Sequence, residues 1–167
     1  MDTERLQIVN KFKERLAGKG FQLQREDLSR PWGGFVVIDE SQGQSFASMY
    51  FDLPANFWEN AELQINGKLL FVAPNKRLSW QYHHRRTEIW QVLEGTVGVV
   101  ISEDDEEHEL KLLSPGDQIT IPSGVRHRLV GLEAWGVIAE IWQHNDSNNP
   151  SNEDDIVRVQ DDFGRKI

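Results

Sequence analysis

Cysteine is absent from this chain of 167 residues, so disulfides and thiolate metal ligands are both excluded. A bound metal would have to use histidine, aspartate, glutamate or glutamine, which favours harder cations over a structural zinc. No stretch approaches the ~20 consecutive apolar residues of a transmembrane helix. The N-terminal sequence MDTERLQIVNKFKERL also lacks the apolar core of a signal peptide. We therefore expect a soluble cytoplasmic protein.

Basic residues are scarce relative to acidic ones. Eighteen lysines and arginines face 27 aspartates and glutamates, which gives a formal net charge of -9. This balance argues against nucleic acid and against an anionic membrane as partners. An anionic ligand would need a local basic cluster. The chain length suits one domain with a single core.

The hydropathy pattern changes once along the chain. Apolar residues at helical spacing, beginning with Leu6 and Val9, predict an N-terminal helix within residues 1–20. Short β-branched and aromatic runs separated by turn residues then predict an all-β barrel over 21–146 with no helix between its strands. Asn66-Gly67 and Glu94-Gly95 predict hairpin turns. Residues 147–167 form a polar C-terminal tail that we expect to pack on the barrel.

The stretch QYHHRRTEIW at 81–90 places two histidines near a glutamate, and a third histidine follows in PSGVRHRL. Nitrogen and oxygen metal sites commonly combine two or three histidines with one carboxylate. Histidines 108 and 144 have polar neighbours and are interpreted as surface residues. The candidate ligands are therefore His83 or His84, with Glu88 and His127. Strand alternation alone favours His84, because it shares a face with Glu88.

Four blocks of sequence occur in a recognisable order: RPWGGF, KRLSWQYHHRRTEIWQVLEGTVGV, GDQITIPSGVRHRLVG and EDDIVRVQDDFGR. Together they resemble the cupin domain of type II mannose-6-phosphate isomerases. The resemblance spans residues 30 to 165. It implies a double-stranded β-helix, or jelly roll, with a divalent metal such as zinc, manganese, iron or nickel in the barrel mouth.

The resemblance assigns His83, Glu88 and His127 to family ligand positions. Arg85 stands where the family has its second histidine, and a guanidinium has no lone pair to give a metal. A β-bulge could turn His84 inward to replace that ligand. In the alternative, the metal is lost and Arg85 binds an anionic ligand. Ile89 also replaces a family histidine.

Basic side chains cluster in the same part of the sequence and predict an anion site. Its expected substrate-binding residues are Gln81, Arg85, Arg86 and, from the tail, Arg165. Arg158 of the tail is expected to bind phosphate or orient the substrate. The expected catalytic residues are Glu88, Lys76 and Arg158. If Glu88 is consumed as a metal ligand, the base could be Lys76, His83 or a metal-bound water.

The resemblance implies aldose-ketose isomerisation of a phosphorylated sugar, with mannose-6-phosphate and fructose-6-phosphate as the pair. A catalytically silent cupin that binds a sugar phosphate or nucleotide sugar is the alternative from another class. Isomerisation of a different sugar, such as lyxose or a heptulose phosphate, is a third. Segment 41–66 is extra relative to the family and could reshape the barrel mouth or build a dimer contact. We expect a homodimer formed through strand edges.

Overall fold

The computed structural model describes residues 2–59 and 63–167 of the chain. Two antiparallel sheets dominate it, one of six strands and one of five. Their order is β1-β2-β3-β10-β5-β8 in the first sheet and β11-β4-β9-β6-β7 in the second. This arrangement confirms the predicted fold class, a cupin jelly roll preceded by an α-helix.

The helices are α1 (Thr3–Gly18) and α2 (Gly43–Tyr50), and short 3-10 turns span Glu40–Gln42 and Ala55–Glu59. The strands are β1 (Leu23–Asp27), β2 (Gly33–Ile38), β3 (Ile65–Val72), β4 (Trp80–Tyr82), β5 (Arg86–Glu94), β6 (Val97–Ser102), β7 (Lys111–Leu113), β8 (Gln118–Ile121), β9 (Arg126–Gly131), β10 (Gly136–His144) and β11 (Val157–Gln160). Strand β11 of the tail pairs with β4. No helix among residues 2–59 and 63–167 is long and apolar enough to cross a membrane.

The central strands of the six-stranded sheet, β2, β3, β10 and β5, are largely buried on both faces. The inner face of the sheet joins the five-stranded sheet in an apolar cluster that includes Val72, Trp90 and Ile138. Its outer face packs against α1 and α2 through residues such as Phe12 and Phe46. Side chains of a strand alternate between the two faces, so a charged residue on the inner face of this sheet projects into the barrel.

Two expectations about the region from the end of β2 to the start of β3 are wrong. Asn66 and Gly67 do not form a hairpin turn, because they lie inside β3 and pair with Trp142 and Ile141 of β10. Helix α2 also lies between β2 and β3, where no helix was predicted. It covers the outer face of the sheet, and an added Cβ at Gly67 would lie 2.5 Å from the Phe46 ring. Packing against α2 therefore explains this glycine.

Gly33, in the RPWGG stretch, has a φ of +146°, which non-glycine residues rarely adopt. A Cβ there would lie 1.8 Å from the carbonyl oxygen of Phe71 on β3. We expect Gly33→Ala to lower the free energy of unfolding by about 3 kcal/mol or more. Urea denaturation measures this change. Gly18→Ala is the control: a Cβ at the end of α1 meets nothing within 4 Å. Equal stability of both variants would contradict the explanation.

Candidate metal centre and anion-binding cavity

The turn between β4 and β5 decides which histidine of the pair enters the barrel. Residues 83–85 lie between the two strands, so strand alternation does not govern them. His83 is buried, whereas His84 is exposed and packs its ring against Tyr82. The structure thus brings His83 to the interior and leaves His84 outside.

His83 meets Glu88 and His127 inside the barrel. Glu88 projects inward from β5, and His127 projects from β9, opposite Gln81 of β4. The Nε2 atom of His83 lies 3.0 Å from Glu88 Oε1, and the Nε2 atom of His127 lies 3.1 Å from Glu88 Oε2. One ligand atom from each residue falls within 4.8 Å of the others, so the three could hold a metal ion.

The outward-facing ring nitrogens are held by backbone carbonyls. Nδ1 of His83 donates to the carbonyl oxygen of Asp155 at 2.6 Å, and Nδ1 of His127 donates to that of Val125 at 2.9 Å. Burial lowers the pKa of His83, which favours its neutral form. Nε2 of His83 then carries a lone pair toward the interior, and a carbonyl behind each ring is the arrangement typical of metal-binding histidines.

Nε2 of His127 provides a test of how well a metal would fit. This atom is buried and makes no hydrogen bond with the described residues, despite its closeness to Glu88. A buried polar atom without a partner destabilises a folded protein unless something else satisfies it. Two imidazole nitrogens and one carboxylate suit zinc, iron, manganese or nickel, and leave coordination positions for water or substrate. The residues present therefore fit a divalent metal.

Arg86 is the basic residue closest to this cluster. Its Nε donates to Glu88 Oε1 at 2.9 Å, and its Nη2 donates to the Nε2 lone pair of His83 at 3.2 Å. Its guanidinium also lies over the Trp142 ring, 3.6 Å from the centroid. Burial opposes ionisation of Glu88, but His83, Arg86 and His127 outweigh it and hold the pKa of Glu88 well below its ordinary value. Glu88 is therefore ionised at neutral pH.

The two positions at which the sequence departs from the family pattern do not face this cluster. Arg85 is directed outward, where its Nη1 donates to the Asn149 side chain and to the carbonyl oxygen of Pro150. Ile89 lies on the opposite face of β5, in the outer apolar cluster beneath the helices. Neither replacement therefore disturbs the geometry of His83, Glu88 and His127.

Asp155 of the tail fixes the turn that carries His83. Besides the carbonyl contact with His83, its carboxylate accepts the backbone N–H groups of His84 at 2.9 Å and Arg85 at 3.0 Å. It also accepts the hydroxyl of Ser151 at 2.5 Å. Burial would raise the pKa of Asp155, but these hydrogen bonds lower it below the ordinary value of 3.8. The tail is thus part of the site's framework.

We expect Asp155→Ala to lower the free energy of unfolding by about 2 kcal/mol or more, because several hydrogen bonds to a charged group are lost. The folded-state pKa of Asp155 is depressed, so this stabilisation is present above 3.8 and lost as the pH falls through the folded value. Urea denaturation at pH 6 and at successively lower pH measures the difference. Asp154→Ala, at the exposed neighbour, is the control. A deficit that did not shrink on acidification would contradict the assignment.

A cavity of about 90 Å³ opens beside Glu88. Its lining is rich in charged side chains from both sheets and the tail. The cationic members are Arg30, Lys68, Arg86, Arg158 and Arg165, and the acidic members are Glu88, Glu140 and Glu153. Trp32, Trp90 and Trp142 contribute aromatic surface. The cationic side chains of such a lining can bind an anionic group, and the aromatic side chains can pack against a sugar ring.

Of the expected substrate-binding and catalytic residues, Gln81, Arg86, Arg158 and Arg165 line this cavity. Arg165 is paired with Asp161 at 2.7 Å, whereas the buried Nε of Arg158 has no hydrogen-bond partner within the described part of the chain. Burial, and then repulsion from Arg165, lower the pKa of Arg158. Lys76 is exposed and does not line the cavity. Arg158 is therefore the cation best placed to accept a further anion.

Several residues of the site were missed from the sequence: Arg30, Lys68, Glu140, Glu153 and Asp155. Two of them carried a usable signal. Lys68 and Glu140 are single charged residues inside the apolar strands INGKLLFV and GVIAEIWQH. A lone charge in such a strand indicates an inward-facing functional group, since both faces of the sheet are buried.

The jelly roll, together with two histidines and a glutamate directed into its interior, defines a cupin. The family model described as mannose-6-phosphate isomerase C-terminal matches residues 58–161. The chain therefore belongs to this family, as its motifs predicted.

Relatives agree with this assignment, and a solved structure shares the fold. The chain is 31% identical to mannose-1-phosphate guanylyltransferase ManC of Salmonella typhimurium over 98% of its own length, and 32% identical to the xanthan biosynthesis protein XanB of Xanthomonas campestris over 95%. It spans only 28% and 27% of those proteins. An oxalate decarboxylase structure has a TM-score of 0.56 at 13% identity, over 80% of this chain and 30% of that one. That likeness shows the fold alone.

Proposed function

We propose that this protein is a metal-dependent aldose-ketose isomerase that acts on a phosphorylated sugar, with mannose-6-phosphate and fructose-6-phosphate as the pair. One observation carries the proposal: His83, Glu88 and His127 converge beside a cavity lined by Arg158, which forms no salt bridge within the described part of the chain. The cluster suits a metal, and the arginine suits a phosphate. The family description and the mannose-1-phosphate named in the relatives support a mannose phosphate as the ligand.

His83, Glu88 and His127 would hold a divalent metal, which supplies Lewis-acid polarisation of the substrate's carbonyl group. Arg158, assisted by Arg165, would bind the phosphate and fix the sugar's position along the cavity. Ser79 donates its hydroxyl to the Gln81 side-chain oxygen at 2.5 Å, which leaves the amide N–H groups of Gln81 free to donate to sugar hydroxyls.

A coupled assay and a metal analysis test the proposal together. The purified protein is assayed for conversion of mannose-6-phosphate to fructose-6-phosphate, as isolated and after addition of manganese, zinc or nickel, and its metal content is measured by mass spectrometry. Turnover that follows metal content is the expected result. Metal without turnover would point to another sugar, such as lyxose or a heptulose phosphate.

A catalytically silent cupin that binds a sugar phosphate or nucleotide sugar is the second candidate. The guanidinium of Arg86 favours it, because it already hydrogen-bonds to Glu88 and to the lone pair of His83 that a metal would use. Calorimetric binding of mannose-6-phosphate, with neither metal nor turnover, would support this function over the isomerase.

A further inference from the structure

We propose that Glu140 is the residue that carries the substrate proton between the two reacting carbons, an inference that rests on the proposed isomerase function. Glu140 lies on β10, next to the strand that provides Glu88, and its side chain faces the barrel interior. Cα pairing sets Trp142 opposite Glu88 and Glu140 opposite Trp90. Glu140 therefore lines the same cavity as Glu88, Arg86 and Gln81.

Glu140 is only 4% exposed, yet it has few interactions that would stabilise its charge. The indole Nε1 of Trp142 donates to its Oε1, and no salt bridge to it forms within residues 2–59 and 63–167. Lys68 of β3 lies opposite Glu140 in the strand pairing, but its Nζ contacts Glu153 at 3.2 Å and lies over the Trp142 ring at 4.2 Å. A buried carboxyl without an ion pair destabilises the fold. A purely structural role would be served better by a neutral side chain.

The surroundings of Glu140 raise its pKa, whereas those of Glu88 lower its pKa. Burial and then the negative charge of Glu88 raise the pKa of Glu140 to about 7, although Lys68 of β3 and Arg86 of β5 oppose the shift. Arg158 of β11 faces the same cavity from the other sheet. A carboxyl group buried in this way takes up a proton more readily than an exposed one, as a proton carrier requires, while Glu88 stays ionised.

The other candidates for the base are in less suitable places. Lys76 is exposed and does not line the cavity. Nδ1 of His83 donates a hydrogen bond to the carbonyl oxygen of Asp155, and its Nε2 faces Glu88 and Arg86. Among the three, Glu140 alone lines the cavity with a side chain that the ligand cluster does not use.

The proposed step conserves atoms and electrons. The Glu140 carboxylate removes the proton from C2 of the aldose, and the electron pair of the broken C2–H bond forms the C1–C2 double bond. The carbonyl π pair moves to O1, which takes up a proton from water to give the enediol. The O2 proton then returns to water, so the two transfers cancel, and the O2–H electron pair forms the C2 carbonyl. The C1–C2 π pair takes the proton back from Glu140 to form the new C1–H bond. Glu140 ends as the carboxylate it was at the start.

Glu140→Gln tests the assignment, because glutamine keeps an oxygen to accept the Trp142 N–H but cannot take up the proton. We expect kcat for mannose-6-phosphate to fall about 1,000-fold, within the range typical of a lost acid-base group. Metal content and KM should stay close to those of the wild type, and the melting temperature should not fall. Glu133→Gln, at an exposed acid, is the matched control.

Failure of the inference and failure of the proposed function give different results. A wild type that interconverts no sugar phosphate would overturn both. An active wild type whose Glu140→Gln variant retains a tenth or more of kcat would overturn the inference alone. A measurement on the wild type gives an answer even if the variant folds poorly: mannose-6-phosphate deuterated at C2 should pass part of its label to C1 and lose part to water, because the proton of a carboxyl group exchanges with solvent. Label that never reaches the solvent, even after many turnovers at equilibrium, would contradict transfer through Glu140.

Discussion

Replacing His127 by alanine is expected to weaken the binding of divalent metal by about 100-fold or more. Mutation of a residue that only hydrogen-bonds to a metal ligand costs about 10-fold to 100-fold in affinity, and loss of a ligand itself should cost at least as much. The buried Nε2 of His127 makes no hydrogen bond with the described residues and lies 3.1 Å from Glu88. It is therefore free to become a ligand, and its loss removes one of three donors. Isothermal titration with zinc or manganese measures the affinity.

His108→Ala is the matched control for this experiment. His108 is exposed beside the acidic loop, where its Nε2 lies 3.6 Å from Asp104. The metal affinity of this variant should equal that of the wild type. If His127→Ala bound metal as tightly as the wild type, the ion would have to be held elsewhere, and the site formed with His83 and Glu88 would be rejected.

Arg158→Ala is expected to raise KM for mannose-6-phosphate by about 10-fold to 100-fold, with a smaller effect on kcat. A hydrogen bond to a charged group contributes about 1.5–3 kcal/mol, and each 1.4 kcal/mol corresponds to about a tenfold change in affinity. Arg158 forms no salt bridge with the described residues and its Nε has no partner, so binding of phosphate would not require an existing ion pair to break. Steady-state kinetics of the variant provide the measurement.

Arg77→Ala controls for the loss of a positive charge near the same tail, since Arg77 is paired with Asp162 at 2.6 Å and does not line the cavity. Unphosphorylated mannose gives a second comparison. With this substrate the KM of the Arg158→Ala variant should equal that of the wild type, because there is no phosphate to bind. An equal loss with both sugars would mean that Arg158 acts on the sugar ring or on the fold instead of the phosphate.

The class of fold was predictable because its signals are local. The N-terminal helix follows from apolar spacing, and the turn at Glu94-Gly95 from a glycine that adopts a φ of +75°. Asn66-Gly67 has an equally strong local preference for a turn, yet tertiary structure overrides it. Pairing with β10 on one side and packing of Phe46 on the other hold both residues in an extended strand.

The candidate site was only partly predictable for a similar reason. The motif singled out His83, Glu88 and His127, but strand alternation pointed to His84, because the sequence does not reveal that a turn interrupts the strand after Tyr82. Asp155 was missed because its role depends on a contact far along the chain. The lone charge of Glu140 in an apolar strand indicates an inward-facing group, but not which groups it meets. Glu140 faces the cavity only by the register of β10 against β5, and Asp155 meets His83 across 72 positions.

His83 and Asp155 are 72 residues apart in the sequence, and this separation affects when the protein can first bind a metal during its synthesis. At the usual rate of about 5–20 residues per second, the ribosome needs several seconds after adding His83 before it adds the aspartate that orients this imidazole. His127 joins the growing chain within that interval. All three potential donors are therefore present on the nascent polypeptide before their arrangement is fixed, so selection of an ion by geometry can begin only after translation has passed residue 155.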